Sequence, residues 1–189
     1  FASLTDHDST AGSKEFAALA NRAGIKTISG VEISADQYGI GIHILGYGIN
    51  PNDKLLLNLF KKQHAARRKA FDKYVMLFKK TGFIINKNKY REFRKIKSVA
   101  QTHVFRLIWE EPRNRELCFK KYGFKKTDWA QNKFINTFME LPGQLAYAKK
   151  KNVSAKEAIG LIHKTGGIAV WAHPGLEIEF ENPRLFPKI

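Results

Sequence analysis

Lys26-Thr27-Ile28-Ser29-Gly30-Val31-Glu32-Ile33-Ser34-Ala35 reads as a buried strand, marked by Thr27, Ile28, Val31 and Ile33, and Ile40-Gly41-Ile42-His43-Ile44-Leu45-Gly46-Tyr47-Gly48-Ile49 reads as a second. Upstream, Phe1–Thr5 is short and apolar, and Thr10 is placed to cap a helix through about Ala23, where Gly24 ends it. Strand and helix alternating over residues 1–50 predict an α/β layer rather than a sandwich. Asn50-Pro51-Asn52-Asp53 then breaks the pattern, and Asp53 is placed to cap a long helix reaching about Thr81, before Gly82. Leu56, Phe60, Arg67, Phe71, Tyr74 and Phe78 recur at spacings of three, four or seven. That gives the helix one packing stripe and leaves Lys61, Lys62, Arg68, Lys69 and Lys73 in water. Residues 83–153 read as several short helices between Gly123, Pro142-Gly143 and basic loops. Ser154 caps a helix to Lys164, Gly166-Gly167 stops it, and Ile168–Ala172 is expected to return to a buried strand.

Charge divides the chain in the same places. The 189 residues carry 33 Lys+Arg against 17 Asp+Glu, a net of +16. Residues 1–50 hold three basic and five acidic side chains, a net of −2, and residues 165–189 hold two and three, a net of −1. The middle, 51–164, holds 28 basic and nine acidic, a net of +19. A block this basic draws phosphate-bearing partners to its surface, more strongly at low salt. Hydrophobic content of 43% is enough for a packed core and excludes a disordered tail. Cys118 is the only cysteine, which excludes an internal disulfide framework and a cysteine-based zinc cluster. No apolar run is long enough to span a bilayer and no signal-peptide pattern opens the chain, so a cytoplasmic location is expected. The chain opens at Phe1, without Met and inside a strand-like segment, and a missing N-terminal piece is expected.

The chemistry sits on the acidic flanks. Leu4-Thr5-Asp6-His7-Asp8, Gly30–Ser34 with Ile42–Tyr47, and Ala169-Val170-Trp171-Ala172-His173-Pro174-Gly175 each set a His or Glu in or after an apolar strand. A polar side chain in such a setting needs a partner to offset its desolvation. Imidazole and carboxylate together suit zinc, manganese or iron, and strand ends of an α/β fold are where such groups are expected to converge.

Thr5-Asp6-His7-Asp8-Ser9-Thr10, Gly30-Val31-Glu32-Ile33-Ser34, His43-Ile44-Leu45-Gly46-Tyr47 and Gly166–Gly175 together resemble, in order and spacing, successive motifs of the PHP (polymerase and histidinol phosphatase) family. The long insertion between His43 and His173 is similar to that of a stand-alone subgroup acting on nucleoside 3′,5′-bisphosphates or trimming short RNA from its 5′ end. The resemblance implies a distorted (β/α)7 barrel, here partial, with a mainly helical insertion. Residues 1–50 would be the first part of the barrel, 51–153 the basic insertion, and 154–189 the return to the barrel. It implies up to three divalent ions (Mn, Zn, Fe or Mg), with His7, Glu32, His43 and His173 as ligands and Asp6 orienting one of them. Asp6, His7 and Glu32 would be the catalytic group, and the activity would be metal-dependent hydrolysis of phosphate esters. The family's opening His-x-His and closing Asp-x-His do not occur here, so the chain is expected to be a fragment lacking the first and last motifs, itself nearly inactive.

The substrate, a nucleotide or short RNA, would be gripped by cations of the basic block, with Arg67, Arg68 and His103 as candidates. His103 stands in Gln101-Thr102-His103, where the subgroup tends to show Arg-Pro-His. His64 and His163 read as helix-surface histidines. Neither a membrane nor a protein partner is indicated. Two other readings stay open, the PHP module of a DNA polymerase and a degenerate, metal-free relative that binds nucleic acid through its insertion.

Overall fold

The two strands form a hairpin, because the link between them is too short for anything else. In the computed structural model, which describes residues 1–127, 129–148 and 151–175, β1 (Gly30–Gln37) and β2 (Ile40–Tyr47) pair antiparallel from Gly30↔Tyr47 to Gln37↔Ile40. Tyr38 and Gly39 make the two-residue turn, with φ of 52° and 85°. Both central residues in the left-handed region is the turn geometry that matches strand twist, whereas a parallel pair needs a crossover of a dozen residues or so. The sheet order is β3-β1-β2-β4. β3 (Val153–Ser154) runs parallel to β1, and β4 (Ile168–Trp171) antiparallel to β2. The α/β class holds, and the sheet is mixed. Phe1–Thr5 contributes a single parallel bridge, Ala2↔Thr27.

The chain divides into two compact units, Phe1–Gln63 with Lys151–Ile189, and His64–Lys150. The return segment is described only as far as residue 175; 176–189 lie outside the described residues.

In the first unit, alternation sends Val31, Ile33, Ala35, Ile42 and Ile44 to one face of the hairpin, where they are buried with Ala158 and Ile162 of α7 (Ala155–Lys164). Ser154 caps α7 as expected: its hydroxyl accepts from Glu157 N, and Glu157 reaches back to Ser154 N at 2.9 Å. The Ser154 hydroxyl, which lies 2.7 Å from Glu157 Oε2, and then the Ser154 N–H hold the Glu157 carboxyl below its ordinary pKa. α7 then lies close on β2. A Cβ at Gly167 would stand 2.5 Å from Ile49 Cγ2 and 2.8 Å from the Tyr47 carbonyl oxygen. Because one of those atoms is backbone, Gly167→Ala is expected to cost about 1–3 kcal/mol, read as a lower denaturant midpoint at unchanged m-value. α1 (Ser13–Arg22) begins after Gly12, without a side-chain cap. Thr10 does not cap it; its hydroxyl donates instead to the Pro51 carbonyl at 2.8 Å, tying the loop before α1 to the turn before the long helix. β4 is also not the buried strand expected, since Ile168, Val170 and Trp171 are exposed.

The long helix, α2 (Lys54–Lys80), starts where Asp53 Oδ1 accepts from Leu55 N and Leu56 N. Its apolar stripe serves two cores. Leu56, Leu59 and Phe60 join the first unit's core, while Phe71, Tyr74, Val75 and Phe78 join the second's. His64 falls four residues after Phe60 on this stripe and is buried, contrary to the surface reading, whereas His163 is exposed. Arg68 is half-buried, with its Nε out of solvent, rather than fully wet.

In the second unit α2 packs with α3 (Lys87–Arg94), α4 (Gln101–Trp109), α5 (Pro112–Lys121) and α6 (Ala130–Phe138) around an aromatic core. Phe78, Phe134 and Phe138 are buried there, with Phe134 5.2 Å from Phe78 and 4.9 Å from Phe138 between ring centroids. Asn114 is buried and fully used: it accepts from Ile84 N and donates to the Ile84 and Ile108 carbonyls. Tyr74 donates to the Ala148 carbonyl at 3.1 Å, and burial raises its hydroxyl pKa. Burial likewise pushes the Cys118 thiol up to about 12, which leaves it unreactive near neutral pH. Among the described residues no helix is long and apolar enough to cross a membrane.

Candidate metal centre

The face of the hairpin opposite the first unit's core carries the polar side chains. Glu32 pairs with Leu45, and Ser34 with His43, so Glu32 and His43 are diagonal neighbours on one face. They project from within the strands, not from strand ends as expected. His7 arrives by a parallel bridge to Glu32, in which Asp8 N donates to the Glu32 carbonyl at 2.8 Å and Glu32 N to the Asp6 carbonyl at 3.1 Å. His173 follows β4, where Ala172 N donates to the His43 carbonyl at 2.9 Å. Its own φ of 32° bends the chain there.

The four side chains meet around one carboxylate. His7 Nε2 lies 3.7 Å from Glu32 Oε2, His43 Nδ1 3.9 Å from Oε1, and His173 Nε2 3.1 Å from Oε1. The imidazoles also neighbour one another, with centroids 4.9 Å apart for His7 and His43 and 5.2 Å for His43 and His173. One ligand atom from each of His7, Glu32 and His43 lies within 4.8 Å of the others. Two donors sharing a tetrahedral ion at bonds of about 2.0–2.2 Å stand about 3.4 Å apart. The spacings here bracket that value, and three imidazoles with one carboxylate are a donor set for a borderline divalent ion. The residues therefore fit a metal ion. The Glu32 side chain is 14% exposed, enough for access yet sufficiently desolvated to favour a cationic partner.

Asp6, expected to orient a ligand, has its carboxylate on the Gly12 side, 3.6 Å from where a Cβ at Gly12 would stand. The sequence reading missed the neighbouring Asp8. Asp8 is fully buried at φ 50°, and its Oδ1 accepts from Ser34 N at 2.9 Å and from Gln63 Nε2 at 3.4 Å. Gln63 Nε2 also donates to the Ser34 carbonyl at 2.6 Å. This network pins the residue next to His7 onto β1. The available signal was a polar Gln63 three residues after Phe60 on the packed stripe of α2. Asp8→Ala is expected to weaken metal binding about 10–100-fold, seen by calorimetric titration; an unchanged affinity would show that His7 keeps its place without Asp8.

Arg67, Arg68 and His103 belong to the second unit. Arg67 lines a small hollow there with Tyr74, Ala100 and Gln101. His103 Nδ1 accepts from Ala100 N at 3.1 Å, closing the first turn of α4, so a neutral ring carries its proton on Nε2. Burial first, and then Arg106, lower the His103 pKa. At neutral pH it is a single N–H donor, not a cation.

No protein-family model matches the chain. It is 30% identical over 175 residues to a 5′-3′ exoribonuclease of Haemophilus influenzae, with 90% of this chain and 57% of that protein covered. It is 29% identical over 175 residues to a 3′,5′-nucleoside bisphosphate phosphatase of Chromobacterium violaceum, with 91% and 55% covered. Among solved structures it is similar to an amidohydrolase from Chromobacterium violaceum with bound sulfate and no metal. There the TM-score is 0.69 and the identity 27%, with 92% of this chain and 56% of that one covered. The chain thus spans just over half the length of these relatives.

Proposed function

We propose that the chain belongs to the PHP family that its motifs resemble, and that its protein is a metal-dependent phosphoesterase acting on nucleotide phosphate esters. The substrates would be a nucleoside 3′,5′-bisphosphate or the 5′ end of a short oligoribonucleotide. The observation that carries the reading is the convergence of His7, His43 and His173 on the two oxygens of Glu32. A cytoplasmic location goes with it.

His7, Glu32, His43 and His173 would hold divalent metal, up to three ions in the family, with Mn, Zn, Fe or Mg as candidates. A metal held by these residues would supply Lewis acidity toward a phosphoryl oxygen and lower the pKa of water. Glu32 presents Oε2 toward His7 and Oε1 toward His43 and His173, which suits a carboxylate serving two ions. Asp8, through Ser34 and Gln63, keeps the His7 segment in register with β1. Asp6 would orient a ligand. Arg67 and Arg68 would bind substrate phosphate through guanidinium donors, and His103 through its Nε2 proton. The convergence of three imidazoles on Glu32 speaks against a metal-free relative. The exoribonuclease and phosphatase names of the relatives favour a stand-alone enzyme over a polymerase module.

The test uses the complete protein, stripped with chelator and then supplied with each metal in turn. Phosphate release is measured from a nucleoside 3′,5′-bisphosphate, and mononucleotide release from a short 5′-phosphorylated RNA. Activity that appears only with added metal is expected. Hydrolysis indifferent to chelator, or none with any of the four metals, would sink the proposal.

A further inference from the structure

We infer that the second unit carries a docking surface for single-stranded RNA, centred on Trp129 in the loop between α5 and α6. The inference rests on the proposed function in taking nucleic acid as the substrate class, and it selects the oligonucleotide over the mononucleotide.

Trp129 is 83% exposed, whereas the unit's Phe124, Phe134 and Phe138 are all buried. An indole left in water keeps a large apolar face open for stacking. Described residues on either side of it are bonded within the unit. Phe124 is buried, Lys133 Nζ donates to the Gly123 carbonyl at 2.9 Å and lies 5.0 Å from the Phe124 ring centroid, and Lys133 N donates to the Trp129 carbonyl at 3.1 Å.

The charge around the indole identifies the partner. His64–Lys150 holds 22 basic and seven acidic side chains, a net of +15. Four of those acids, Asp72, Glu110, Glu111 and Glu116, are already paired with Arg or Lys of the same unit. Residues 120–139 hold five lysines and one acid, Asp128, and of these lysines Lys120 is paired with Glu116. Lys120 and Lys121 end α5, and Lys125 and Lys126 are exposed on the loop itself. An exposed indole among lysines is the pairing that binds single strands: a base stacks on the ring while cations neutralise the flanking phosphates. A duplex hides its base faces and offers the indole nothing to stack on.

The test is fluorescence anisotropy of a labelled single-stranded oligoadenylate about 12 nucleotides long, titrated with the protein in chelator. Without metal, binding is read separately from hydrolysis, so a failure of the enzymatic proposal leaves this result interpretable. Trp129→Ala is expected to weaken binding about tenfold or more, with Trp129→Phe keeping most of the affinity. Lys125→Glu with Lys126→Glu should weaken binding and flatten its salt dependence. Metal-supported release of phosphate from a nucleoside 3′,5′-bisphosphate should be unchanged in Trp129→Ala. Equal binding by wild type and Trp129→Ala overturns the inference, as does equal affinity for a duplex or for polyglutamate. A wild-type dimer that Trp129→Ala converts to monomer also overturns it, by giving the indole to a second copy.

Discussion

His173→Ala in the complete protein is expected to lower metal-supported turnover about a thousandfold or more, because loss of a catalytic ion removes several kcal/mol of transition-state stabilisation. His173 makes the shortest contact with Glu32, 3.1 Å to Oε1, and comes from the opposite end of the chain from His7. Its removal takes one of three imidazoles from the carboxylate while leaving the β1–β2 hairpin bonded. His163→Ala is the proper control, since His163 is exposed on α7. His64 is unsuitable: it is buried, and truncating it would leave a cavity whose effect mixes stability with activity. The comparison is made at saturating metal and again at limiting metal. A ligand defect deepens when metal is scarce, and equal turnover by His173→Ala and His163→Ala would remove His173 from the centre.

The largest effect on stability is expected from Phe134→Ala, at about 3–5 kcal/mol. Phe134 is fully buried, and its ring neighbours include Phe78, Phe138, Phe105, Phe124 and Trp109 at centroid distances of 4.9–6.4 Å. Edge-to-face and stacked geometries are both present, so deleting the ring loses transfer energy, ring–ring contacts and packing at once. Denaturant unfolding of wild type and variant, followed by the near-ultraviolet signal of the second unit's aromatic residues, measures the change. Because the chain has two compact units, the transitions are fitted separately instead of as one two-state curve. A loss below about 1 kcal/mol would mean that the surrounding rings close over the gap.

Several features lay within reach of the sequence because their causes are local. Asp53 before Lys54 and Ser154 before Ala155 cap their helices, and caps act over two or three residues. The apolar alternation of Ile42, Ile44 and Gly46 marks a strand with one buried face, whatever it pairs with. The types of side chain that gather around Glu32 were legible for the same reason, since an ionisable group inside an apolar strand signals a partner before the partner is known.

What depends on distance along the chain was decided only by the tertiary structure. The turn at Tyr38-Gly39 makes β1 and β2 antiparallel, which moves Glu32 and His43 from supposed strand ends to the middle of one sheet face. The stripe on α2 is continuous in sequence, yet Leu56 and Phe60 enter one core and Phe71 and Phe78 another. Helical period specifies which residues share a face but not what covers it. The same limit explains His64, whose position on that face buries it, and Asp8, which has no role in the sequence reading and is the fully buried acceptor of Ser34 and Gln63. A capping or pairing preference is carried by neighbours in sequence, whereas burial and convergence are set by which surfaces the packed chain brings together.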